Sequence, residues 1–171
     1  ACARARGKIS SKSVRLLIFG SGGQYENLVS LVKGLGVENT VAIERGFLDN
    51  PIEHMEQATM FVLPSRFEGF PSVLIEALSA GIAVVSTDCI SGPREILAPD
   101  LLDPRHTDEK PEWAEYGGLV PVGGVDAMAE AITQLLTDTD LRRKYAAKGK
   151  ERSFDFTMDK VLPGYKRVLR V

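Results

Sequence analysis

Short apolar runs recur along this chain, and between them lie longer segments with apolar residues three and four apart. The runs Val14-Arg-Leu-Leu-Ile-Phe19, Val41-Ala-Ile43, Met60-Phe-Val-Leu63 and Ile82-Ala-Val-Val85 read as strands. They are rich in β-branched and large apolar side chains and bounded by glycine or proline. Residues 24–35 carry Leu28, Leu31, Val32 and Leu35, a helical stripe closed by Gly36. Asn50-Pro51 opens a helix over 51–58, with a cap residue followed by proline at the first helical position. A further helix spans 71–80, with Pro71 at its start and Gly81 after its end. Gly92-Pro-Arg-Glu-Ile-Leu97 reads as a short helix start, and Leu119-Val120 as a short strand. Helices follow over 125–136 and 141–152, split by Thr137-Asp-Thr-Asp140. Residues 156–169 look helical, with a kink or break expected at Pro163-Gly164. Residues 98–116 form the least regular stretch.

Strands alternating with helices at this spacing predict βαβ units and a parallel sheet, an α/β fold of three αβα layers. Runs such as 61–63 and 82–85 are apolar on both faces, as a covered parallel sheet requires, and the 14–19 run reads as a buried strand. Ligands of such sheets bind outside the carboxyl ends of the strands. There the sequence places residues 20–23, 45–47, 64–71, 86–95 and 120–124.

Composition narrows the function classes. The 171 residues suit one domain, and 44% of them are hydrophobic, enough for a sizeable core. A net charge of −2 argues against a nucleic-acid surface. The basic residues Arg4, Arg6, Lys8 and Lys12 read as a solvated helix face. Two cysteines, Cys2 and Cys89, make neither a disulfide framework nor a zinc site. No apolar run is long enough for a membrane-spanning helix.

The candidate chemistry lies at the predicted rim. Gly20-Ser-Gly-Gly23 follows a strand and precedes a helix, but Tyr25 stands where a dinucleotide fingerprint needs its last glycine. The turn is either a tight connection or a backbone lining around Gly20 and Gly22 for a phosphate or sugar ligand. Glu68 precedes Gly69-Phe70-Pro71, which enters the helix carrying Glu76. The start of that helix offers unpaired backbone N–H groups at Ser72, Val73 and Leu74, which together with the helix dipole favour an anion such as a diphosphate. A carboxylate accepts two hydroxyl hydrogen bonds at once, which suits a sugar or ribose diol. An anion site with an acid on either side fits a sugar nucleotide. The alternative is a solvated loop acid at Glu68 and an exposed helix face at Glu76. Arg94 either meets phosphate or pairs with Glu95 or Asp88. His54 and His106 form no motif, and Asp138 and Asp140 lie in a helix–helix turn instead of following a strand.

The stretch 61–97, "FVLPSRFEGFPSVLIEALSAGIAVVSTDCISGPREIL", resembles the donor-binding domain of GT-B-fold retaining glycosyltransferases. That large family includes sucrose synthase and many bacterial polysaccharide enzymes. Supporting pieces occur in order: Leu16-Leu-Ile-Phe-Gly-Ser-Gly22, Gly46-Phe47, and Gly118-Leu-Val-Pro-Val122 followed by Asp126, Ala129 and Ile132. The resemblance covers nearly the whole chain. It implies that Glu68 contacts the donor sugar and matters most to the chemistry. It implies that Glu76 holds the ribose hydroxyls, that the backbone of Ser72, Val73 and Leu74 cradles the diphosphate, and that Gly46-Phe47 borders the base. The implied reaction moves a hexose or N-acetylhexosamine from a nucleoside-diphosphate sugar, UDP favoured, to a glycan or lipid-linked acceptor. Configuration is retained and no metal or other cofactor is required.

The resemblance also implies an N-terminal acceptor domain and a first strand with a loop of Arg and Lys. The sequence, starting at Ala1 in a helix-like stretch, is expected to be a piece lacking both. Such a piece is expected to be inactive alone and to leave one sheet position unfilled, which invites self-association. The whole protein is expected in the cytoplasm, and any peripheral association with the inner face of the membrane would belong to the missing half. A sugar-nucleotide epimerase and a non-catalytic nucleotide-binding module are the alternatives.

Overall fold

A computed structural model of the chain describes residues 1–9, 14–101 and 110–170. Its elements in chain order are α1 (Cys2–Gly7), β1 (Leu16–Gly20), α2 (Tyr25–Gly34), β2 (Val41–Arg45), α3 (Pro51–Glu56), β3 (Met60–Leu63), α4 (Ser72–Ser79), β4 (Ala83–Thr87) and α5 (Pro93–Leu97). Then come β5 (Glu112–Trp113), β6 (Gly118–Val120), α6 (Val125–Thr137), α7 (Thr139–Ser153), a 3-10 turn (Phe154–Phe156) and α8 (Met158–Leu169).

The core sits on both faces of β4. Every residue of this strand is buried. Side chains alternate across a strand, so Val84 joins Leu74, Leu78, Ile96, Leu97 and Leu119 on one face. Ala83 and Val85 join Val120, Met128, Ala131, Ile132 and Leu135 on the other. The first cluster lies under α4 and α5. The second lies under α6, with α1 added through the buried Ala5. These are the three expected layers, and burial at this density supplies most of the stabilisation.

The expected parallel sheet is present, but it is interrupted. β1 pairs with β2 alone, parallel, with Leu16 opposite Val41. The larger sheet has the order β3-β4-β6-β5, parallel except for the antiparallel β5–β6 pair. Among the described residues no ladder joins β1 to β3, so each has one unpaired edge. This corrects the expectation that the 14–19 run is a buried strand: no residue of β1 is buried, and Leu17 is 51% exposed. The α2 stripe is likewise uncovered, with Leu28, Leu31 and Leu35 exposed. Apolar character alone does not bury a segment when its neighbours are not in place.

Two further expectations are corrected. Of the kink or break expected at Pro163-Gly164, the break does not occur, and α8 runs on through Pro163. Proline removes one N–H bond, here to the Asp159 carbonyl, and on a helix with no buried residue water can satisfy that acceptor. Within 98–116, β5 forms where no regular element was expected. It is held by Trp113, whose ring stacks on Tyr145 at 4.9 Å and whose Nε1–H donates to Gln134 Oε1 at 2.6 Å.

Candidate functional site

The carboxyl ends of β3 and β4 carry the main cluster. Thr87, buried at the end of β4, donates its hydroxyl back to the carbonyls of Leu63 and Ser65. That ties the start of the 64–71 segment to the neighbouring strand. The segment ends at Pro71, which is buried and serves as the N-cap of α4. Proline has no side-chain acceptor, so no side chain caps this helix. The Leu74 N–H turns back to the Pro71 carbonyl at 3.0 Å, leaving Ser72 and Val73 at the open end. Ser72 is exposed and Val73 half-buried. An uncapped helix start of this kind directs backbone donors and positive potential outward.

Glu68 and Glu76 flank this end, and both are half-buried. Among the described residues neither carboxylate has a hydrogen-bond or ion-pair partner. A charge held partly out of water without a partner is in a state that a ligand hydroxyl would improve. Glu68 also acts on Cys89: burial pushes that thiol's pKa up, and the Glu68 charge pushes it further. The 64–71 loop and the β4–α5 loop therefore share one local field.

Phe70 is half exposed and meets the Phe156 ring edge-on at 5.7 Å. Phe156 in turn lies under the guanidinium of Arg152, 4.8 Å from its ring centre. Arg152 donates to the Ile96 and Glu95 carbonyls at 3.0 Å each, capping α5. The turn before α4 is thus braced by the C-terminal helices.

A second cluster lies at the carboxyl ends of β1 and β2. The Gly46 N–H donates to the Gly20 carbonyl at 3.3 Å, which brings the two predicted turns together. Gly46 has φ +119, a conformation that side-chain-bearing residues rarely adopt. A hollow beside it is lined by Phe19, Gly20, Gly22, Gln24, Tyr25 and Ile43. Arg45 lies 3.9 Å from the Tyr25 ring centre and pairs with Glu26 at 2.5 Å. Phe47 is almost fully exposed.

Arg94, named from sequence among the donor contacts, faces inward. It is 6% exposed. Its Nε and Nη2 donate to Asp88 Oδ2 at 2.9 and 2.7 Å, and Nη2 donates to Glu112 Oε2 at 2.8 Å. Of the alternatives the sequence left open, the structure realises pairing with Asp88, while Glu95 folds back onto the Gly92 N–H at 3.3 Å. His54 stands against Phe19 at 5.5 Å, and His106 lies outside the described residues. Thr87 and Gly92 lie in the 86–95 rim segment that the sequence marks, but nothing in the sequence singles them out, and Phe156 carries no sequence signal as a site residue. Their contacts come from strand order and from chain returning from the C-terminus. Among the described residues no group of three or more metal-ligating side chains occurs.

The model of the family described as glycosyl transferases group 1 matches residues 1–152 of this chain. The chain belongs to that family. It is 31% identical over 173 residues to an uncharacterised glycosyltransferase of Methanocaldococcus jannaschii, covering 92% of this chain and 42% of that protein. It is 35% identical over 148 residues to a Campylobacter jejuni N-acetylgalactosaminyltransferase that acts on a diphospho-undecaprenol-linked saccharide. That alignment covers 86% of this chain and 36% of the relative. This group 1 chain therefore spans less than half the length of these two relatives. Among solved structures, Staphylococcus aureus TarM in complex with UDP superposes with a TM-score of 0.82 at 19% identity, covering 99% of this chain and 31% of TarM. Anabaena HepE with UDP and glucose gives 0.79 at 20% identity, over 99% of this chain and 43% of HepE. The fold is that of the GT-B C-terminal, Rossmann-like domain.

Proposed function

We propose that this chain is the donor-binding half of a metal-independent retaining glycosyltransferase. The whole enzyme would move a hexosyl or N-acetylhexosaminyl group from a UDP-sugar to a glycan or lipid-linked acceptor. The observation that carries the reading is the uncapped start of α4 between two half-buried carboxylates that have no partner among the described residues. In this reading the amides at Ser72 and Val73 receive the diphosphate. They stabilise it most as the glycosidic bond opens and negative charge builds on the leaving group. Glu76 takes the ribose hydroxyls and Glu68 a hydroxyl of the sugar. Gly20, Gly22, Gly46 and Phe47 border the base from the second cluster. The acceptor, and any membrane contact, belong to polypeptide outside this chain. The relatives' extra length supports that division, and transfer requires both halves to align.

Ligand-observed NMR of the domain with UDP, GDP, NAD and UDP-sugars tests this. Saturation should reach the uridine and sugar protons and disappear in Glu76→Ala. A response to UDP that leaves Glu76→Ala and Glu68→Ala silent would favour a nucleotide module without sugar preference. Binding of NAD with no response to any UDP-sugar would sink the proposal.

A further inference from the structure

The inward turn of Arg94 has a counterpart on the other side of the same loop. Gly92 is buried and adopts φ +89. A β-carbon there would lie 2.5 Å from Pro71 Cδ, 2.7 Å from the Gly69 carbonyl oxygen and 3.2 Å from Phe70 Cα. The backbone of the β4–α5 loop therefore rests directly on the turn that enters α4. Two residues further on, Arg94 binds that loop to two other segments. Besides its bonds to Asp88 and Glu112, its Nη1 donates to the Leu101 carbonyl at 3.0 Å. The side chains of Asp88 and Arg94 are 4% and 7% exposed, and that of Glu112 is 21% exposed. Burial works against the guanidinium charge, but the hydrogen bonds and charges of Glu112 and Asp88 outweigh it and raise the Arg94 pKa above its usual value. The guanidinium is therefore a permanent, planar, multi-donor anchor, which an ammonium group does not reproduce.

The 64–71 segment is consequently held at both ends. Thr87 fixes its start through Leu63 and Ser65. Gly92 limits its end at Gly69, Phe70 and Pro71. Glu68 and the open amides of α4 lie between or just beyond these two supports. We propose that Arg94 and Gly92 are positioning residues that set the β4–α5 loop as the floor of the Gly69–Phe70–Pro71 turn and so fix where Glu68 and the Ser72 and Val73 amides stand. The functional part of this inference rests on the donor-site reading above; the structural coupling does not. Neither residue is required to touch the donor. Such supporting contacts matter because a site loosened by a fraction of an ångström loses function while the fold persists.

Amide fingerprint spectra of the ligand-free domain, followed by UDP titration, test the proposal on Gly92→Ala, Arg94→Lys and the distant control Asp138→Ala. Gly92→Ala and Arg94→Lys should move the amide signals of residues 68–74, leave those of β1 and β2 in place, and weaken UDP binding about tenfold. The control should lower thermal stability without changing UDP affinity. If Gly92→Ala fails to fold, Arg94→Lys decides alone. Unmoved signals at 68–74 would overturn the proposal, as would an affinity loss no larger than that of the control. Should the unmodified domain not bind UDP, the donor-site reading fails, and the ligand-free spectra still decide whether the two loops are coupled.

Discussion

A side chain's worth in this protein depends on which neighbour it meets, and glycine shows this most directly. A β-carbon on Gly117 would stand 2.8 Å from Val84 Cγ2, 3.0 Å from the Val84 carbonyl oxygen and 3.1 Å from Leu97 Cδ2. Val84 and Leu97 are fully buried, so neither can move aside freely. Gly117→Ala should therefore destabilise by about 1–3 kcal/mol, the usual cost of overpacking a core, read as a lower denaturation midpoint at unchanged m-value. At the same scale the roles of Glu68 and Glu76 could be anticipated. The acids flank the proline-entered start of a helix, and the structure leaves both half-buried and without a partner among the described residues. Arg94 could not be resolved from sequence. Its partner Glu112 lies 18 positions away in the stretch with no periodicity, and nothing local distinguishes a guanidinium facing a ligand from one buried in an ion cluster.

Elements were legible where the apolar period and its punctuation coincide. The segment from β3 to β4 is the clearest case. An apolar run, Pro64, the Gly-Phe-Pro turn, a helical stripe, Gly81 and a β-branched run follow one another, and the observed bounds differ by only a residue or two. The two-residue β5 carries no period at all and exists through Trp113 and its pairing with β6. The α6–α7 junction falls inside the expected 137–140 split but is narrower: Thr137 ends α6, Thr139 and Asp140 already belong to α7, and only Asp138 stands between them. Asp138 Oδ1 accepts the Leu141 N–H at 2.8 Å, capping α7 across an exposed turn. Asp138→Ala should cost about 1 kcal/mol, visible in thermal or urea unfolding. Asp138→Asn, which keeps the acceptor, should recover most of it.

At the scale of the molecule, the layers and the parallel strands follow from the alternation of elements, whereas the interruption of the sheet does not. Strand order is a property of contacts distant in sequence, and local periodicity is blind to it. Among the described residues the break leaves unpaired edges on β1 and β3, and α2 exposes a stripe at Leu28, Leu31 and Leu35. Bare edges of this kind template pairing with another chain. Sedimentation velocity over a range of concentrations should show reversible association of the isolated chain, weakened by Leu17→Lys on the exposed face of β1. A monomer at every concentration would refute this.

The same interruption divides the molecule's resistance to opening. β4, β6 and the helices around them share two buried clusters, while β1, α2 and β2 contain no buried residue. Hydrogen exchange should therefore proceed in two tiers. Amides of β1, α2 and β2 should exchange through a low-energy opening, and those of β4 and β6 only through global unfolding. The turn at Glu68 and the start of α4 belong to the slow tier, because their supports, Thr87, Gly92 and Pro71, are built from the buried half. The phosphate-facing part of the site would then stay formed while the part beside Gly20 and Gly46 breathes.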